Sequence, residues 1–367
     1  MGIFYPVYSS NSLIKIAMNL IITFDYEIFG DGSGDVFTHM IYPTQRILSI
    51  CELHQIKTTI YFEVIEYLKM KQEWTSGNRM GYTENPIEAI ENQLKTAALA
   101  GHDIQLHIHP QWVDAVYNGR WVLNMDNWRL GDFKGKQGYQ LPELLKEGKE
   151  AIEALIQSVL PTYRCIALRA GGYNIMPSKE VYDAMLETGL KLDSSVYPGG
   201  FEQGALSRYD YREAPIGKDY WWAKPDDFTK HCSGSAVMEI PVFALQQSRI
   251  NKFGIERIKS ALLNKRSAMN AVKNKTEKMS FSGKVKYFMA KEAFTWDFCL
   301  FSMRLHKRFL KFIRKGLHQR QYFVLIGHPK NFTMEKSFEC FVSMAKKGGA
   351  QFITLKGAYD HFIQAEL

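Results

Sequence analysis

The sequence predicts an α/β fold: a distorted (β/α) barrel of about seven parallel strands, with a helical insertion before the last core strands. Three observations predict it. Runs of β-branched and aromatic residues alternate with runs of helical period along most of the 367 residues, the pattern of a parallel sheet covered by helices. No Gly-rich phosphate loop follows the first strand, so a nucleotide-binding doubly wound sheet is not favoured. The reactive side chains fall where strands end, and barrels of this kind carry their chemistry there.

The elements follow in order. "MNLIITFDYE" reads as a strand ending in acids, "PTQRILSICELHQ" as a helix, and "IKTTIYFEV" as the second strand. "NPIEAIENQLKTAALAG" is a helix with a glycine stop, and "HDIQLHIH" is the third strand. "LPELLKEGKEAIEALIQSVL" is a strongly amphipathic helix, "YRCIALRAGG" the fourth strand, and "PSKEVYDAMLETG" the next helix. "LKLDSSVYP", "SAVMEIPVF" and "YFVLIGHP" give strands five to seven, and "EKSFECFVSMAKKGGA" with "QFITL" closes the pattern. Residues 1–17 read as an upstream extension, and 18–367 as a single domain.

Composition narrows the function classes. The five cysteines, Cys51, Cys165, Cys232, Cys299 and Cys340, form no C-x-x-C pair. Neither a disulfide framework nor a cysteine zinc site is indicated, and a reducing, cytoplasmic setting is expected. "SLIKIAMNLIITF" lacks a basic n-region and a small-residue cleavage site, and no run reaches the roughly 18 apolar residues of a spanning helix. The formal charge of +8 is uneven: Lys252 to Arg320 holds 18 Lys and Arg against 4 Asp and Glu, or +14, which leaves −6 for the rest. This block, at about 252–320, has helical composition and reads as a helical insertion. A solvated helical face is the plain reading. Contact with anionic membrane lipid or glycan is the functional one. Nucleic acid is not expected, because no nucleic-acid module is recognisable.

Side chains at i and i+2 on a strand share a face. That pairs Asp25 with Glu27 at the end of the first strand, Tyr26 pointing away, and His107 with His109 at the end of the third. Arg169 ends the fourth strand, Asp193 the fifth and His328 the seventh. A carboxylate and two imidazoles make a catalytic zinc shell with a position left open for water. A second carboxylate serves as base, a further histidine as proton donor, and an arginine holds the base ionised. Asp25 is open to either role, base or ligand.

With those residues placed, the chain resembles the polysaccharide deacetylases of carbohydrate esterase family 4, the NodB-homology domain, over roughly Leu20 to Leu355. The resemblance rests on five motifs in order: "TFDYE" against T-F-D-D, "GHDIQLHIHP" against G-H-E-I-x-x-H-x-x-x-H-P, "LRAGGYN" against R-x-P-Y, "LDSSVYP" against an Asp-containing strand end, and "LIGHP" against a leucine–x–histidine end. It implies Asp25 as general base, with Glu27, His107 and His109 as ligands to a divalent metal, zinc first, with cobalt, nickel or manganese as alternatives. It implies His328 as general acid braced by Asp193, Arg169 orienting Asp25, and a backbone amide at Tyr173 or a neighbour holding the oxyanion.

The loops after the third and fifth strands are rich in aromatics, among them Trp112, Trp121, Trp128 and Trp222. These stack on sugar faces or form a loop core of their own. With Tyr173, the residues Trp112, Trp121 and Trp222 are the expected substrate contacts. The expected activity is metal-dependent hydrolysis of a C–N bond other than a peptide bond. The reaction is removal of an N-acetyl (or O-acetyl) group from an amino-sugar glycan or a lipid-linked precursor, in the cytoplasm or at the inner membrane face. The alternatives are a hydrolase of a small non-sugar amide or imide, and a catalytically degenerate glycan-binding protein.

Overall fold

A computed structural model describes residues 18–252, 288–315 and 320–367. The expected extension at 1–17 and much of the basic insertion lie outside the described residues. Among the described residues eight strands are parallel: β1 (Met18–Tyr26), β2 (Thr59–Glu63), β3 (Asp103–Ile108), β4 (Ala167–Ala170), β5 (Leu192–Asp193), β6 (Met238–Glu239), β7 (Tyr322–Leu325) and β8 (Ala350–Phe352). Their order is β6-β5-β4-β3-β2-β1-β7, with β8 beside the start of β1. An antiparallel hairpin, Trp221–Lys224 and Asp227–His231, extends the β6 side.

The sheet curls until its ends meet. Single parallel bridges, Val242 with Val324 and Asp297 with Ile326, join the chain after β6 and the returning insertion to β7. The result is the expected distorted barrel. All nine residues of β1 are buried, as they must be in a strand covered by helices on one side and barrel interior on the other.

The α-helices among the described residues are α1 (Tyr42–Leu53), α2 (Val64–Thr75), α3 (Pro86–Leu99), α4 (Leu141–Gln157), α5 (Lys179–Thr188), α6 (Met303–Arg314), α7 (Glu335–Lys347) and α8 (Leu355–Glu366). Their starts are written locally. Asn85 accepts from the amides of Ile87 and Glu88 ahead of α3, and Gln140 with Glu143 forms a capping box on α4, so orphan N–H groups are satisfied. Among the described residues no helix is long and apolar enough to cross a membrane.

The insertion departs from its helical expectation. Lys291–Thr295 is a strand, antiparallel to Ala244–Ser248, while Met303–Arg314 is a helix as expected. Phe294 is buried opposite Leu245, also buried. That cross-strand pair gives the segment a partner that helical composition alone does not reveal.

Candidate metal centre and active site

The first strand delivers its two carboxylates as period 2 requires. Asp25 and Glu27 are 4% exposed, while Tyr26 turns away and donates to Gln93 Oε1 at 2.8 Å. The third strand aims both imidazoles at the same spot. His107 Nε2 lies 3.7 Å from Asp25 Oδ2 and from Glu27 Oε2, and His109 Nε2 lies 3.0 Å from Glu27 Oε2.

Each ring is held from behind. His107 Nδ1 is 2.9 Å from the Arg169 carbonyl. A carbonyl only accepts, so Nδ1 carries the hydrogen, and in the neutral ring the lone pair is on Nε2. That Nε2 is fully buried and has no hydrogen-bond partner, a costly state for a polar atom unless something else meets it. His109 Nδ1 faces the Gln111 side-chain amide at 2.9 Å; with that amide's otherwise unpartnered oxygen turned to the ring, Nδ1 donates to it and Nε2 keeps its lone pair. Burial holds the His109 imidazole below its ordinary pKa, against the pull of Glu27. One donor atom from each of Glu27, His107 and His109 lies within 4.8 Å of the others. A buried carboxylate, a buried neutral imidazole and a second imidazole with an orphaned nitrogen fit a divalent cation.

Both carboxylates carry a cationic partner on their other oxygen. Arg169 donates to Asp25 Oδ1 at 2.9 Å, to Thr23 Oγ1 at 2.9 Å and through Nε to the Ser194 carbonyl at 2.9 Å, and it stacks 4.0 Å from the centre of the Tyr61 ring. Lys330 donates to Glu27 Oε1 at 2.8 Å and to the Ile28 carbonyl at 2.7 Å. Burial alone would raise both carboxyl pKa values. For Asp25 its neighbours His107 and Arg169 and the hydrogen bond from His328 outweigh it; for Glu27 Lys330 and His109 do. Both stay well below the usual range and are ionised at neutral pH.

His328 closes the other side. Its Nε2 is 3.5 Å from Asp25 Oδ2 and its Nδ1 is 3.8 Å from Asp297 Oδ2. Burial pulls its pKa down, but the two carboxylates prevail and raise it to about 9. The brace is therefore Asp297, not Asp193. Asp193 is fully buried on β5, where its two oxygens accept from the amide and hydroxyl of Ser195 at 2.9 and 2.8 Å. It shapes the Ser194–Ser195 turn that holds Arg169, and acts on the site at one remove.

The aromatic expectations divide. Tyr173 follows β4 with a positive φ of 64°, and its ring packs half-buried against Tyr197 at 4.9 Å. Trp112 is 1% exposed beneath Trp121 at 5.1 Å, so it is loop core and has no face for a substrate. Trp121 is half-buried in that cluster, against Tyr117 at 5.3 Å. Trp222 does not join the site. Its indole donates to Glu366 at 3.1 Å, and the neighbouring Tyr220 stacks on Phe362. Asp219 beside them accepts from the amides of Gln321 and Tyr322, so this hairpin lies at the strands' N-terminal ends. The indole at the site is Trp128, 5.8 Å from the His109 ring.

Gly171 explains a departure in the third motif. A Cβ built there would lie 2.4 Å from His109 Nδ1. With the second histidine two residues along a strand, its ring occupies the space a side chain at 171 would fill, so "RAGGY" has glycine where R-x-P-Y has proline.

No family model matches the chain, and no curated protein matches it. Solved structures do. The Puue allantoinase superposes with a TM-score of 0.49 at 12% identity, over 98% of each chain. A structure described as a probable polysaccharide deacetylase from Pseudomonas aeruginosa PAO1 superposes with a TM-score of 0.48 at 11% identity, over 95% of this chain and 91% of that one.

Proposed function

We propose that the protein is a metal-dependent hydrolase that removes an N-acetyl group from an amino-sugar-containing glycan. The observation that carries this reading is the buried trio of Glu27, His107 and His109, with the orphaned His107 Nε2, set between an ionised Asp25 and a protonated His328. Glu27, His107 and His109 would hold the divalent cation. When bound, such an ion supplies Lewis acidity and makes water a stronger acid.

The chain's own groups do the rest. Asp25 Oδ2 faces the centre and takes a proton from the attacking water, while Arg169, anchored to Thr23 and Ser194, fixes the carboxylate's other oxygen. His328 begins the cycle charged, and its Nε2 delivers a proton to the departing amine nitrogen. Asp297 steadies that charge from behind. Acetate and the free amine are the products. Trp128 and Tyr173 give the rim aromatic faces of the kind that sugars stack on, which supports a glycan substrate.

The test is metal content and acetate release from N-acetylated amino-sugar oligomers, for the wild type and for His107→Ala with His109→Ala. About one divalent ion per chain, lost in the double variant together with acetate release, is the expected result. Absence of metal from the reconstituted wild type overturns the reading. Metal without acetate release would move the activity to another amide.

A further inference from the structure

Helix α6 leaves a line of charge that the proposed reaction does not use. From Met303 to Lys315 the chain has six basic residues and no acid. His306, Phe309, Leu310 and Ile313 are buried against the barrel, and Arg304, Lys307, Arg308, Lys311, Arg314 and Lys315 are all exposed. Spacings of three and four residues put these cations side by side on one face. Apart from Arg314, which donates to the Met344 carbonyl at 3.2 Å, none of them has a hydrogen bond or ion pair among the described residues. Like charges at this spacing destabilise a helix, so the stripe is a cost to folding that an anionic partner would offset.

We propose that this face docks on a bilayer surface carrying anionic lipid. The shape favours that partner over an anionic chain. The cations stand on a convex ridge about 16 Å long at 1.5 Å per residue, which meets a flat surface along its length. Binding a polyanionic strand calls for a charged groove with aromatic rings for stacking, and every residue exposed on this face is a cation. The apolar side of α6 is already spent on the core, so the contact is electrostatic, without insertion. The proposal does not rest on the hydrolase reading.

The experiment is co-sedimentation of the full chain with vesicles of phosphatidylcholine, with and without phosphatidylglycerol, at low and high salt. The comparison variant carries Arg304→Gln, Lys307→Gln, Arg308→Gln and Lys311→Gln. Binding is expected with phosphatidylglycerol only, and to be lost at high salt because the contact is screened. Each basic residue near such a surface is worth roughly fivefold in affinity, so the variant should bind on the order of a hundredfold or more weaker. Lys307→Arg with Lys311→Arg should bind as the wild type does, which separates charge from structural damage, and an unchanged melting temperature shows that the fourfold variant is folded. Equal binding to neutral vesicles, or undiminished binding by the folded variant, overturns the proposal. Capture by polyphosphate without vesicle binding also overturns it, in favour of a soluble polyanion.

Discussion

Asp297 faces His328 and Asp193 does not, and substitution separates the two. Asp297 Oδ1 is tied to the amides of Cys299 and Leu300, which leaves Oδ2 for His328. Removing that charge in Asp297→Asn should let burial pull the imidazole down. The alkaline limb of the rate profile, expected near pH 9 in the wild type, should move to lower pH by about one unit or more. Asp193→Ala should leave the limb in place and cost about 1–3 kcal/mol of stability in a denaturant titration, because the Ser195 amide loses its buried acceptor. Sequence reasoning reached Asp25, Glu27, His107 and His109 because a period of two leaves no freedom in where a strand aims alternate side chains. It did not reach Asp297, which sits in a block whose basic charge dominated the reading, nor Lys330, whose place behind Glu27 is set by a turn after Pro329 that carries no spacing signal.

At the scale of the element, the short turn after β4 is the cradle of the second imidazole. Gly171→Ala would drive a methyl group into the His109 ring. The ring would have to tilt away from Glu27, and metal affinity, read by chelator competition, should fall roughly ten- to a hundredfold. His107→Ala should lose more, since it removes a donor outright. The parallel strands were legible because burial on both faces writes them as apolar runs. Helices α2 and α8 went unread. Each begins within a few residues of a strand, and the Glu63 side chain that starts α2 by accepting from the amides of Ile65 and Glu66 is itself the last residue of β2. A residue serving two elements gives a sequence reader no boundary.

The whole molecule carries a pH liability outside the site. His306 of α6 stacks on Phe341 at 4.4 Å and accepts from Trp296 Nε1 at 3.1 Å. Burial lowers its pKa from 6.5 to about 3. The unfolded chain therefore binds an extra proton between those values, and the contribution of His306 to stability is lost as pH falls from 6.5 towards 3, at about 1.4 kcal/mol per unit. Asp103 runs the other way: burial raises its pKa from 3.8 to about 6, so its contribution is lost as pH rises through that window. Chemical denaturation across pH should show a shallower acid-side fall for His306→Phe than for the wild type, by close to one proton.

The join between the barrel's first and last strands has one more consequence. The residues proposed as metal donors stand at the C-terminal ends of β1 and β3, within a continuous run of paired strands, whereas His328 and Asp297 both stand where single bridges close the ring. A sheet opens first where its ladder is shortest. Local opening at that seam would withdraw His328 together with Asp297 and leave Glu27, His107 and His109 in place, so a molecule loosened there would keep its proposed metal donors and lose its acid.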